Sequence, residues 1–316
     1  MLLSRCAESL YWAGRYLERA EATARLIKEH TEPLLDRPRS AAVDWFPLMA
    51  VTGCRDEFVG RKADPGEDDA VEFLTANPKN RGAVVASIAR ARANLLASRA
   101  VLTRPSWEVV NNLHGWVMVT ADQAIDRRTR LGWIDGVISQ CQLFASTAAA
   151  AMPDDEVYGF LQIGRHLERA DITLRVLDVH AGILVDRSDQ EGPAGVSHWE
   201  ATWTSVLRSL SAQQLFVRTA GAGASGAAAL RFLLQDDRFP RSVESCLTGA
   251  SQDLGRLPSA RPPAESCGQT QMRLRSLSIT EELTPGELNV LVDDLEKGIG
   301  DVHAALTDTY FRLVSA

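Results

Sequence analysis

No stretch of this sequence stays apolar for the 18 or so residues that a membrane-crossing helix requires. The first residues bring Arg5 and Glu8 where a signal peptide needs an unbroken apolar core, so no leader is expected. Cysteine is sparse: Cys6, Cys54, Cys141, Cys246 and Cys267 are odd in number, scattered, and never paired as Cys-x-x-Cys. That pattern excludes a disulfide framework and a structural zinc site, and fits reduced thiols in a cytoplasm. Positive charge is also in deficit, with 34 Lys+Arg against 41 Asp+Glu and a formal charge of −7. A general nucleic-acid or anionic-membrane surface needs a basic field, so neither partner is expected. Runs of alternating β-branched residues are missing too, which leaves strands without support.

What is present is helix. Leu3, Cys6, Leu10, Ala13, Leu17, Ala20, Ala24 and Ile27 recur at alternating steps of three and four, the seam of a helix in a bundle. Similar periodicity predicts helices over about 43–59, 69–76, 82–102, 106–125, 133–151, 156–185, 198–218, 227–235, 240–256, 269–283 and 286–314. Breakers separate them at Pro33, Pro38, Pro65-Gly66, Pro78, Pro105, Pro153, Gly192-Pro193, Pro258 to Pro263 and Pro285-Gly286. The expected class is all-α.

The chain also repeats itself. Residues 14–25 read GRYLERAEATAR and residues 164–175 read GRHLERADITLR, with eight of twelve positions identical at an offset of 150. His30 and His180 extend the match, Trp45 to Phe58 has the spacing of Trp203 to Phe216, and Phe73-Leu74 corresponds to Phe232-Leu233. Asn77-Pro78 and the stretch from Asp236 to Pro240 read as matching N-cap chemistry. The expectation is a helical bundle of two tandem multi-helix units, 1–152 and 153–316, related by a pseudo-two-fold axis.

Within the repeated helix the seam takes one side, while Tyr11, Arg15, Glu18 and Arg25 cluster opposite, flanked by Arg19 and Glu21. The second copy presents Arg165, Glu168 and Arg175, flanked by Arg169 and Asp171. One reading is a solvated face with intrahelical pairs Arg15–Glu18, Glu21–Arg25, Arg165–Glu168 and Asp171–Arg175, each worth only about 0.2–0.5 kcal/mol. A second buries the charges between the units, where they fix docking. The third is an Arg/Glu site gripping an anionic ligand or a charged partner through bidentate arginines.

Arg92, Asn94, Arg99, Trp107 and Asn111 form a smaller candidate cluster, and Arg241 opens a helix whose free N–H groups suit an anion. Gly221-Ala-Gly-Ala-Ser-Gly226 fits a dinucleotide fingerprint, but no strand precedes it, so a linker is the better reading. There is no Glu-x-x-His, His-Glu-x-x-His or Gly-x-Ser-x-Gly, and no metal, cofactor or catalytic residue is expected.

The opening Leu-Ser-Arg-Cys-Ala-Glu-Ser-Leu-Tyr-Trp-Ala-Gly-Arg-Tyr-Leu-Glu-Arg-Ala-Glu resembles the bacterial alpha-E family, an all-helical domain named for its Glu-Arg motif. Glu168-Arg169, Ala91 to Asn94, Trp107 with Asn111, and Phe239-Pro240-Arg241-Ser242 extend the resemblance along the whole chain. The resemblance implies an accessory role beside a circularly permuted ATP-grasp ligase, and possible company with a transglutaminase-like protein. Such a system makes and trims peptide or amide bonds. It implies that the Arg/Glu face binds the ligase or its substrate; the alternatives are an enzyme using Glu18 or Glu168 as acid/base, and a scaffold whose Glu-Arg pairs join the two units.

Overall fold

The computed structural model describes residues 2–34, 44–59, 66–185, 202–221 and 225–312, with side chains of the 156–185 helix described to residue 180. Every regular element among them is helical. In chain order these are α1 (Ser4–Thr31), α2 (Phe46–Val51), α3 (Arg55–Val59), α4 (Glu67–Thr75), α5 (Val84–Ala97), α6 (Arg104–Thr120), α7 (Arg127–Ala151) and α8 (Glu156–Val185). There follow α9 (202–209), α10 (Gln213–Ala220), α11 (Gly226–Gln235), α12 (Val243–Leu254), α13 (Arg261–Ser276) and α14 (Pro285–Leu306). No described helix is long and apolar enough to cross a membrane.

The long helices α1 and α8 run through the centre and pack on each other. Around α1 lie α5 and α7, with α6 bridging those two; around α8 lie α12 and α14, with α13 bridging. Each central helix thus packs on the other and on two further long helices that a third connects. The smaller helices repeat the pattern in their rings: Phe58 meets Phe73 at 5.2 Å, and Phe216 meets Phe232 at 5.4 Å.

Local chemistry explains the boundaries. The helix expected over 43–59 divides into α2 and α3 because Gly53 turns left-handed at φ 69°. Ser211 does the same at φ 56°, dividing the helix expected over 198–218 into α9 and α10. Pro262 and Pro263 do not break α13 but sit in its first turn, so this helix begins eight residues before the expected 269. The predicted caps also shift. Asn77 and Asp236 fold tight turns, each accepting from an N–H two residues on (2.9 and 2.8 Å), whereas α12 is capped by Ser242, which accepts from Ser245 N at 3.0 Å. Pro38, Gly192-Pro193, Pro65 and residues 222–224 of the glycine-rich stretch lie outside the described residues.

The α1–α8 crossing is unusually close because both helices carry glycine there. A Cβ on Gly14 would collide with the Leu161 carbonyl oxygen, and one on Gly164 with that of Tyr11. The two glycines belong to the repeated motif at the same offset of 150, and their contacts are reciprocal. Gly14→Ala or Gly164→Ala is expected to cost about 3 kcal/mol, lowering the melting temperature by roughly 5 °C or more. Gly115→Ala in α6, where a Cβ meets nothing within 4 Å, is expected to add about 0.5–1 kcal/mol. Urea denaturation of the three variants checks the contrast.

Candidate functional site

Close approach at the glycines brings the two Glu-Arg motifs face to face. Glu18 of α1 is reached by Arg169 of α8, whose Nε donates to Oε1 at 2.9 Å and whose Nη2 donates to Oε2 at 2.7 Å. Glu168 of α8 is reached in the same way by Arg19 of α1, through Nε to Oε1 at 2.6 Å and Nη2 to Oε2 at 3.1 Å. These are two fork-to-carboxylate pairs, each made across the crossing rather than along a helix. Arg15 Nε donates to Glu168 Oε2, and Arg165 Nε lies 3.7 Å from Glu18 Oε2.

Both carboxylates are buried, with Glu18 and Glu168 each only 1% exposed. The reading of a solvated face is therefore overturned. A helix whose seam already faces α5 and α7 still has its opposite side covered, because α8 lies on it. Arg15–Glu18 and Arg165–Glu168 do not form within their helices, since each guanidinium is drawn across the crossing. Glu21–Arg25 (2.6 Å) and Asp171–Arg175 (3.2 Å) do form along the helix.

Arg241 completes one side. Its side chain enters from the turn before α12, donating from Nη1 to Glu18 Oε1 at 2.6 Å and from Nη2 to Glu21 Oε1 at 3.0 Å. At the start of that helix, considered for an anion, this use of the side chain and the Ser242 cap stand instead. On the other side Arg15 extends from Glu168 to the Tyr11 hydroxyl (3.0 Å) and Asp171 (3.5 Å), and Tyr11 meets His303 Nδ1 at 2.9 Å.

Burial works to raise both glutamic acids, but the arginines outweigh it. Arg169, Arg241 and Arg165 hold Glu18 well below the usual carboxylate range, and Arg15 and Arg19 hold Glu168 below it. Burial together with Arg169 and Arg165 also pushes His166 down to about 3, so this ring is neutral. Such carboxylates are poor proton acceptors at neutral pH.

The second candidate cluster lies apart, on α5, α6 and the turn between them. Arg92 donates to Asn111 Oδ1 at 2.9 Å, and the Arg92 and Arg99 guanidiniums lie over the Trp107 ring at 5.5 and 5.7 Å. These stacks are ordinary cation–π contacts; Asn94 is half-buried on the same helix. No group of three or more His, Cys, Asp or Glu side chains is arranged to hold a metal among the described residues. Sequence reasoning missed the part played by Gly14, Gly164 and His303. The glycines had left a signal, since both are among the identities of the repeat.

Removing one partner of a buried charge pair strands the other and costs about 3–5 kcal/mol. Glu18→Gln and Glu168→Gln are each expected to lose that much at pH 7. Their folded pKa lies below the unfolded value, so the stability they contribute is present above about pH 4.5 and lost as pH falls through the folded value. Urea midpoints from pH 7 to pH 3 check this, the double variant showing a lower plateau and a shallower fall below pH 4.5.

The chain has been compared with known proteins. It is 25% identical to an uncharacterised protein of Mycobacterium bovis over 335 aligned positions, covering 96% of this chain and 36% of the relative. Two uncharacterised proteins of Mycobacterium tuberculosis match at the same 25% identity and coverage. The chain thus spans about a third of the length of the curated relatives it matches. No solved structure matches it. Residues 2–311 match the family model Alpha-E, described as a predicted alpha-helical domain with a conserved ER motif; with its Glu18-Arg19 and Glu168-Arg169 pairs, this chain belongs to the Alpha-E family.

Proposed function

We propose that this chain is a non-catalytic helical module of two tandem units, 1–152 and 153–316, related by a pseudo-two-fold axis through the α1–α8 crossing. In this reading the Glu-Arg motifs join the units from inside, and the module serves as accessory to a circularly permuted ATP-grasp ligase in peptide- or amide-bond formation, with a transglutaminase-like protein as a further companion.

One observation carries the internal role: Glu18 and Glu168, each 1% exposed, have their carboxylate oxygens engaged by arginines of the opposite central helix. Carboxylates engaged in this way serve first to join the two helices, and the ligase is met on outer surfaces. The enzyme alternative has less support, because a general base needs a carboxyl poised near neutral pH and these are held low. The accessory role draws on the family resemblance, and the relatives' length fits it: about two thirds of each lies outside the matched region, as for a module that works beside another unit.

Light scattering after size-exclusion chromatography tests the partnership. The chain mixed with a circularly permuted ATP-grasp protein from the same cell is expected to elute as one stoichiometric complex. Separate elution from both the ATP-grasp and the transglutaminase-like protein would overturn the accessory role. A fully folded Glu168→Gln variant that loses the complex would return the motif to a docking role.

A further inference from the structure

Arg241 and Gly82 hold matching places: each stands two residues before the first residue of its helix, Val243 of α12 and Val84 of α5. Those helices pack on α8 and α1 respectively. The Arg241 guanidinium fills the space beside Glu18 and Glu21. Beside Glu168 and Asp171, the residues 150 positions on, Gly82 sends no side chain, and a small cleft opens there. It is lined by Arg19, Glu168, Asp171 and Arg175, with Thr23, Thr52 and Gly82 at its edges and Leu26, Val51 and Ile172 as apolar wall.

Charge differs between the two sides in the same sense. Lys28 pairs with Asp135 at 2.7 Å on the Arg241 side, whereas the residue 150 positions after Lys28 is Asp178, which has Asp293 of α14 for a neighbour. Glu296 lies on α14, close to Asp171, Asp178 and Asp293. Its Oε1 is buried and accepts no hydrogen bond from the described residues. Burial, then Asp171, pushes Glu296 up to about 7, and burial with Asp293 raises Asp178. Five carboxyl groups (Glu168, Asp171, Asp178, Asp293 and Glu296) thus gather with Arg15, Arg19 and Arg175. The Arg241 side shows what such a place holds when its charge is met from within the chain.

We propose that this cleft binds a guanidinium or primary ammonium group brought by a ligand, in the place that Arg241 takes on the other side. Its N–H groups donate to Glu168 and Asp171, and its methylene stem lies on Leu26, Val51 and Ile172. The proposal rests on the correspondence of the two units proposed above.

Gly82→Arg tests it, because a Cβ there meets only ordinary contacts, Asn80 Oδ1 at 3.4 Å and Thr52 O at 3.5 Å. Methylguanidinium chloride is expected to raise the melting temperature of the wild-type chain by about 2–4 °C over tetramethylammonium chloride at equal ionic strength. Gly82→Arg is expected to melt higher without any addition and to show no such rise. An equal rise in both proteins, or none in the wild type, would overturn the proposal. Should Gly82→Arg fail to fold, Asp171→Asn serves instead, with at least fivefold weaker methylguanidinium binding expected by calorimetry and unchanged binding overturning the cleft. A terminally blocked arginine peptide that binds as tightly as methylguanidinium assigns the group to a polypeptide side chain; a tenfold preference for methylguanidinium assigns it to a small ligand, and both uphold the cleft. In a crystal structure of Gly82→Arg, the introduced guanidinium on Glu168 and Asp171 upholds the correspondence. The same group in solvent, with methylguanidinium still bound by the wild type, removes the correspondence alone.

Discussion

Two carboxylates buried where two helices nearly touch set the terms for the rest of this fold. Burying a charge is costly unless it is paired and hydrogen-bonded, and Glu18 and Glu168 sit too deep for water to help. Each therefore requires arginines from the opposite helix, at one separation and one rotation of α1 against α8. Gly14 and Gly164 supply that separation by removing the side chains that would hold the backbones apart. The surrounding helices then close over the pair, α5 and α7 against α1, and α12 and α14 against α8. Such pairs are better at fixing a geometry than at adding stability. That suits a crossing whose partners must find one register.

Much of this was legible in the sequence. The seam from Leu10 to Ile27 is buried at every position named, because a three-four repeat of apolar residues has only one economical use. The span of α8 agrees with the periodicity at both ends. The charged side was harder. Arg15, Glu18 and Arg19 in sequence look the same whether water or another helix covers them, since spacing reports which residues share a face and says nothing of what lies on it. The residues that decide the matter are the glycines, which carry no hydropathy signal. Arg241 was visible only as a residue before a helix; that its side chain reaches back across 220 residues of chain to Glu21 is a tertiary fact. Pro262 and Pro263 misled for a local reason, because the first turn of α13 tolerates them.

The correspondence between the central helices is strict at the crossing and looser away from it. Gly53 and Ser211 both turn left-handed, and each faces the arginine of the opposite central helix: a Cβ on Gly53 would lie 3.1 Å from Arg175, and Ser211 Oγ accepts from Arg25 at 2.7 Å. Beyond this ring Lys28 is answered by Asp178, and Arg241 by Gly82. One side of the crossing is thus filled by the Arg241 side chain, and the other carries a cleft.

The reciprocity of the crossing also has a bearing on ancestry. Arg19 satisfies Glu168 and Arg169 satisfies Glu18, so neither half satisfies its own glutamate. A half-length chain would carry a buried-type carboxylate with its matching arginines on the same helix face, and it is complementary to a second copy of itself. On the two-unit reading proposed above, such a chain would be completed by a second copy, and a join between Met152 and Glu156 would make that pairing permanent.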